Sequence, residues 1–322
     1  MPALTRLMAQ LPATLPAAML VVQHLAPDST SEPLVARLAS HTALRCQLAT
    51  DHVPLRAGHL YLAPPNRHLR VKADHLRVTQ SPHENNYRPA ADTLFRSAAV
   101  AFDSHVVGVV LTGMLHDGTA GLDFIKRCGG GSRGARPRRS RICQYARERP
   151  APRRNRLRVG LDAMGPLLVG LVSPTPLSPT DVMAIPPDLK LEAAIAERVV
   201  GTTAQIEQFG HLVPLTCPGC GGSLWEMNAG HVLRYRCHTG HAYTAGALAA
   251  SSRQSLEETL WVALRMMEER KNLLSNMANH ADAQWNRPQL ERVEEIKRHV
   301  NRLREFLLSS EESDSTVAAP TT

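Results

Sequence analysis

Val21-Val22-Gln23-His24-Leu25-Ala26-Pro27 and Leu111-Thr112-Gly113-Met114-Leu115-His116-Asp117-Gly118 are the stretches on which the reading of this chain turns. Each begins in an apolar, β-prone run, Ala18 to Val22 and Val106 to Leu111, and breaks at once into polar loop residues. In an open parallel sheet, ligands and chemistry collect beyond the carboxyl ends of the strands. A histidine and an aspartate set there by two strands supply the base and the orienter of a nucleophilic triad. A strand-end histidine is also commonly structural, and spacing alone does not separate the two readings.

The surrounding residues alternate helix and strand. Leu4, Leu7, Met8 and Leu11 fall at i, i+3, i+4 and i+7, one face of a helix over 3–11 that Pro12 and Pro16 end. A strand over 18–24 follows, then a helix from Leu34 to Ser40 with Pro33 in its first turn. His59 to Val78 holds two alternating runs around Pro64-Pro65-Asn66-Arg67-His68 and Ala73-Asp74, which predict hairpin strands. Asp92–Ala101 reads as a helix, Ser104–Leu111 as a buried strand, and Thr119–Arg127 as a helix closed by Gly129-Gly130-Gly131. The order predicts an α/β domain over 1–172, a Rossmann-like parallel sheet with helices on both faces.

Between the two stretches lies Arg88-Pro89-Ala90-Ala91-Asp92-Thr93-Leu94-Phe95-Arg96-Ser97-Ala98-Ala99. Together the three resemble, in order and over roughly residues 1–130, the VVQH, RPSxDxLFRSAA and TGMxxDG motifs of the CheB-type protein-glutamate methylesterases of bacterial chemotaxis. Ala90 stands where that pattern has Ser, and Leu115 where many relatives have Gly. The resemblance implies hydrolysis of γ-glutamyl methyl esters on chemoreceptor helices with release of methanol. It assigns His24 as general base, Asp117 as the buried residue that fixes its tautomer, and the backbone N–H of Met114 as an oxyanion donor.

The family's nucleophile is a serine in a G-x-S-x-G-G-like turn between its first strand and first helix. That helix corresponds here to Pro2-Ala3-Leu4, and residues 1–28 contain neither Ser nor Gly. The resemblance therefore predicts that the first strand and the serine are missing from the chain, as from a late start at Met1. No substitute offers itself. Thr5 and Thr14 lack a strained turn to present them, Ser29 follows His24 too closely, and Cys46 and Cys128 read as small buried hydrophobes. Weak activity, or none, is the expectation.

The 322 residues suffice for two domains, without any run of eighteen apolar residues or an N-terminal signal pattern. These features predict a soluble cytoplasmic protein with no membrane insertion. Six cysteines, unevenly spaced, do not make a disulfide framework. The formal charge of +8 would suggest a nucleic-acid partner, but its distribution argues against one. Residues 131–160 hold eleven Arg and one acidic residue, leaving 26 basic against 28 acidic residues elsewhere. Three readings of 131–160 stay open: a disordered basic linker, a nucleic-acid-binding arm, and translation out of frame. The third is favoured, because Arg141–Val159 read one base later is compatible with the core strand and Met-Pro loop of the family. On that reading residues 132–158 form no core strand, since burying so many arginines carries a prohibitive desolvation cost.

Beyond the domain, 173–187 is a Pro-rich linker and 188–212 a helix and connector. Cys217-Pro218-Gly219-Cys220 and Cys237-His238-Thr239-Gly240-His241 give C-x2-C-x16-C-x3-H, two knuckles that predict a structural zinc ribbon over 213–246. Its ligands are Cys217, Cys220, Cys237 and His241; His238 adjoins Cys237 and is harder to aim at the same ion. Apolar stripes Leu256, Leu260, Ala263, Met267, Leu274, Met277 and Leu290, Val293, Ile296, Val300, Leu303, Leu307 predict a helical hairpin over 247–308, with Pro288 at the junction. Mutual packing of these helices and a partner-binding or homodimer surface are equally compatible with the stripes. A disordered polar tail is expected over 309–322.

Two functions thus compete. One is a receptor-modifying esterase, defective in this copy, whose partner is a methylated chemoreceptor. The other is a non-enzymatic signalling protein built on the zinc ribbon and helices, carrying a relic esterase domain.

Overall fold

The computed structural model of the chain describes residues 2–111, 116–135, 156–172, 185–197, 203–208, 210–228, 230–280 and 283–317. It opens in α1 (Pro2–Met8), whose Leu4, Leu7 and Met8 are buried, and continues to β1 (Met19–Val21), α2 (Glu32–Ala39), β2 (Arg45–Leu48) and β3 (His59–Leu62). β3 is central: β1 pairs with it in parallel, Met19 opposite Leu60, and β2 pairs in parallel on its other side, Cys46 opposite Leu60. Leu60 and Leu62 enter one apolar layer with α1 and α2, and Tyr61 and Ala63 enter the other. A strand covered on both faces suits a parallel sheet.

This placement corrects the hairpin reading of 59–78. The first of its two runs is the central parallel strand; the hairpin is β4 (His68–Val71) with β5 (Leu76–Thr79), antiparallel, closed by Lys72 N–H to His75 O at 2.9 Å. Alternation misled here because His59, the polar residue of β3, sits at the strand mouth, where a parallel strand meets solvent. β2 had no sequence signal of its own.

α3 (Ala91–Phe102) lies over β4 and sends Leu94 and Ala98 into the second layer. β6 (Val107–Val110) and α4 (Thr119–Arg127) follow, then β7 (Gly131–Ala135), β8 (Arg156–Val159) and α5 (Leu161–Val172). α4 ends as its glycines predict, with Gly129 at φ +82° and Gly130 N–H returning to Ile125 O. β6, β7 and β8 pair in parallel, with Val107 opposite Gly131 and Ser132 opposite Arg156. Residues 132–135 and 156–158 thus pair in a sheet, where the expectation was that 132–158 forms no core strand. Gly131-Ser132-Arg133-Gly134-Ala135 contains a single arginine among small residues, so the backbone can pair before the arginine density rises. The central part, 136–155, lies outside the described residues.

Among the described residues β1 is paired only on its β3 side and β6 only on its β7 side. A cavity of about 220 Å³ is lined by both strands together with α1 and α3, with Leu7, Met8, Val21, Phe95, Val109 and His24 among its walls. Gln10 ties the α1 end to α5, its amide donating to Leu161 O at 3.1 Å and its oxygen accepting Gly165 N–H at 3.1 Å.

α6 (Pro187–Glu197) packs on α3, and a short α7 (Thr203–Ile206) leads to a four-stranded antiparallel sheet. Its strands are β9 (Gly210–Thr216), β10 (Ser223–Met227), β11 (Arg234–Cys237) and β12 (Ala242–Thr244), in spatial order β12-β11-β10-β9. β10 and β11 form the hairpin between the two knuckles, and β9 and β12 widen the ribbon on either side. Two long helices, α8 (Ala245–His280) and α9 (Ala283–Val317), complete the chain, and Pro288 falls inside α9 rather than at the junction. Compact units divide between Leu248 and Ala249. In the second unit Leu264, Val300 and Leu307 are buried against Leu260, Met267, Ile296 and Leu303. No helix among the described residues is long and apolar enough to cross a membrane.

Candidate active site

β1 and β6 end near one another, and their loops bring His24 to Asp117. His24 Nε2–H donates to Asp117 Oδ2 at 2.8 Å, the ring 31% exposed and the carboxylate 1% exposed. The same carboxylate accepts Ala91 N–H at 2.6 Å and Asp92 N–H at 3.0 Å. These are the opening amides of α3, where the helix has no side-chain cap because Ala90 stands at that position. A carboxylate at a helix N-terminus is favoured by the free N–H groups and the dipole. Asp117 thus supplies the cap from a distant loop and is fixed by it. Gly118, at φ +92°, permits the turn, and its Cβ would meet Val110 at 3.2 Å.

With Nε2 donating to Asp117, the lone pair of His24 falls on Nδ1, the atom available to take a proton. Tyr87 stacks on the imidazole, centroids 3.9 Å apart and planes within 3°. A base held by a buried carboxylate and an aromatic plate can deprotonate a hydroxyl or a water. Among the described residues, no serine, threonine or cysteine side chain is hydrogen-bonded to His24. Met114 lies outside the described residues, with its whole loop 112–115.

A second carboxylate adjoins the first. Asp92 accepts Gly121 N–H at 2.6 Å on Oδ1 and Asn85 Nδ2–H at 2.8 Å on Oδ2. Gly121 makes this approach possible, since a Cβ there would lie 2.5 Å from Phe95 Cβ and 3.0 Å from Asp92 Cα. Burial, and then the charge of Asp117 beside it, push the Asp92 carboxyl well above the ordinary carboxylate range. His68 supports the same helix start. Its Nε2–H donates to Pro82 O at 3.0 Å and its Nδ1 accepts Ala90 N–H at 3.2 Å. Burial depresses this histidine to about 4, which keeps it neutral and in one tautomer.

Around these residues runs a buried ionic cluster. Glu84 accepts two bonds from Arg96, at 2.5 and 3.1 Å, with Arg236 3.6 Å away. Glu192 of α6 pairs bidentately with Arg234 and lies 3.9 Å from Arg96. Arg234 and Arg96 also sit over the Phe124 ring at 4.8 and 5.8 Å. Burial by itself would raise Glu84, but Arg96 and then Arg236 hold its carboxyl far below the usual range. Tyr87, Asn85, His68 and this cluster escaped the sequence reading. Asp92 and Arg96 sit inside the quoted 88–99 run, which was the available signal; Glu84, Glu192, Arg234 and Arg236 carry no local pattern.

The predicted metal ligands do converge. The ligand atoms of Cys217, Cys220, Cys237 and His241 all lie within 4.8 Å of one another. Cys220 and Cys237 Sγ are 3.7 Å apart, and Cys237 Sγ is 3.5 Å from His241 Nδ1. Zn–S and Zn–N bonds at a tetrahedral centre give edges of about 3.5–3.8 Å. The donor set therefore fits such an ion. Both knuckles are closed by backbone bonds, Gly221 N–H to Cys217 O at 2.8 Å and Gly240 N–H to Cys237 O at 3.1 Å. His238 instead faces Gly222, where a Cβ would meet its ring at 2.7 Å.

A strand-end histidine backed by a buried aspartate has the geometry of the base and orienter of a nucleophilic triad. Among known proteins, residues 1–148 match the family model described as CheB methylesterase. A protein-glutamate methylesterase/protein-glutamine glutaminase of Anaeromyxobacter dehalogenans is 44% identical over 130 residues, 40% of this chain and 38% of that protein. One from Myxococcus xanthus is 41% identical over 129 residues, and one from Methanosarcina acetivorans 39% over 136. The chain thus spans little more than a third of the curated relatives it matches. The catalytic domain of Thermotoga maritima CheB methylesterase is a structural neighbour with a TM-score of 0.47, 28% identical, covering 53% of this chain and 92% of that one.

Proposed function

We propose that this chain is a protein-glutamate methylesterase family member directed at γ-glutamyl methyl esters of a methylated chemoreceptor in the cytoplasm, with methanol as product. The observation that carries the reading is the Asp117 carboxylate, gripped by two helix amides and accepting the ring N–H of His24. His24 is the general base through Nδ1, Asp117 fixes its tautomer, and the Met114 N–H is the oxyanion donor. The chain as given hydrolyses such esters weakly or not at all, because no nucleophilic hydroxyl is bonded to His24 among the described residues. A triad without its nucleophile typically keeps only ~10³ over water. Cys217, Cys220, Cys237 and His241 hold a structural zinc ion that stabilises the ribbon and takes no part in the reaction.

The test is methanol release from methylated receptor by this chain and by one extended with any upstream codons that encode a G-x-S-x-G-G turn. A large gain on extension, lost in His24→Ala, supports the reading. Near-equal rates, abolished in both by His24→Ala, would show a different nucleophile; no methanol from either would remove the substrate assignment.

The second reading, an interaction protein with a relic esterase domain, is favoured by the exposed apolar side chains of α8. Met266 and Leu273 are 60% and 59% exposed. A homodimer through the C-terminal helices belongs to this reading, and sedimentation of the full chain decides it.

A further inference from the structure

β12 of the ribbon does not end in solvent; it is grasped by a residue of the esterase domain. Asn85 N–H donates to Ala242 O at 2.8 Å, and Thr244 N–H donates to Asn85 Oδ1 at 2.8 Å. Asn85 therefore meets β12 as a neighbouring strand residue would, with its side chain standing in for a backbone carbonyl. The other end of the same amide, Nδ2–H, donates to Asp92 Oδ2 at 2.8 Å. The amide orientation follows from these partners: an acceptor is needed toward Thr244 and a donor toward Asp92. Asn85 is 4% exposed and Thr244 5%, so water does not offer an alternative.

From Asp92 the path continues by its own backbone N–H to Asp117 Oδ1, and from Asp117 Oδ2 to His24. Asn85 stands at φ +51°, a conformation most side chains resist and asparagine tolerates. The sequence has thus placed at this strained position the residue type that combines left-handed backbone with both a donor and an acceptor.

We propose that Asn85 is a positioning residue through which the ribbon sheet holds Asp92 and, behind it, the Asp117–His24 pair. The ribbon is then part of the esterase site rather than an appendage to it. The proposal rests on His24 and Asp117 being the base and its orienter, but it is read without turnover, so its failure and a failure of the esterase reading are separate results. The charged groups facing Asp92 are Asp117, Glu84 and Arg96, and none of these is altered in the test.

The test uses the full chain loaded with zinc and follows the His24 ring Nε2–H by NMR at one fixed pH, where its exchange with water reports the bond to Asp117. Asn85→Gly removes the side chain while tolerating φ +51° and keeping the backbone bond to Ala242. Loosening of Asp117 weakens the bond that holds the ring proton, so exchange of the His24 Nε2–H with water is expected to quicken about tenfold or more. In an Asp92→Asn background the same change should add little, because the path runs through Asp92. Should Asn85→Gly fail to fold, Thr244→Pro cuts the same bond from the ribbon side and is read in the same way. An unchanged exchange rate in a folded variant, or an equal quickening in both backgrounds, overturns the proposal.

Discussion

The backbone N–H of Asp92 donates to Asp117 Oδ1 at 3.0 Å, so the second carboxylate of the site is anchored to the first by its own main chain. Two carboxylates this close in a buried setting do not both ionise readily. The chain assigns them different tasks: Asp117 faces His24, and Asp92 faces the amide of Asn85.

Asp92→Asn should flatten the loss of stability at alkaline pH. An aspartate in the unfolded chain titrates near 3.8, and the folded value here is raised. The contribution of Asp92 is therefore whole below 3.8 and is lost as pH rises through the folded value. The asparagine amide meets Asn85 less favourably, a cost that is the same at every pH. Urea unfolding at pH 5 and pH 9 isolates the slope; parent and variant losing equal stability between the two would contradict the assignment.

His68 gives the opposite sign. Its folded value of about 4 lies below the 6.5 of the unfolded chain, so its contribution is complete above 6.5 and declines as pH falls toward 4. The shift corresponds to roughly 3 kcal/mol once the ring is protonated. His68→Gln, which can still donate to Pro82 and accept from Ala90, should shrink the difference in unfolding free energy between pH 7 and pH 4.5. A variant as acid-sensitive as the parent would show that other groups govern that limb.

Arg234→Met should cost about 3–5 kcal/mol, because it removes the bidentate partner of buried Glu192 and leaves only the more distant Arg96, 3.9 Å away, and Arg236 to offset its charge. Adding Glu192→Leu should recover much of that loss, since the uncompensated charge is then gone. Denaturant titration of the parent, the single variants and the double variant tests this. A double variant no better than Arg234→Met would mean that packing over Phe124, not charge, is what Arg234 contributes.

The full chain should carry about one zinc ion, and a strong chelator should strip it with loss of ordered ribbon signals, since the apolar cluster of Cys217, Leu224, Cys237, Tyr243, Ala247 and Leu248 includes two of the ligands themselves. Cys220→Ser should weaken metal binding without altering the sheet behind His24. Metal analysis returning no zinc, or unchanged affinity in that variant, would remove the structural-metal assignment.

The parts of this molecule readable in advance are those whose signal is local. The helix over Thr119–Arg127 carries its apolar period and its closing glycines within a dozen residues, and the metal knuckles carry their spacing. The His24–Asp117 contact was legible from the apolar runs that both residues follow taken together with the resemblance of the surrounding motifs, since spacing alone did not decide it. Asn85, His68 and the Glu84–Arg96–Glu192–Arg234 cluster were not legible. Their partners come from segments far apart in sequence, and a buried charge looks like any surface charge until the chain that neutralises it is in place. The reading of 59–78 failed for a related reason: polar ends on a short central strand imitate the alternation of a half-exposed one.

The cross-pairing of Arg234 and Arg236 with Glu192 and Glu84 also determines where this polypeptide can be divided. Proline-rich 173–187 invites a cut between the α/β half and the ribbon half. A fragment ending there would leave Glu84 without Arg236 and Arg96 without Glu192, and Asn85 without the strand it grips. Such a fragment would expose ionic surfaces that evolved to be dry, and poor expression would be its signature. The joint at which a recombinant boundary can be drawn falls after Leu248, inside a continuous helix, where no linker composition marks it.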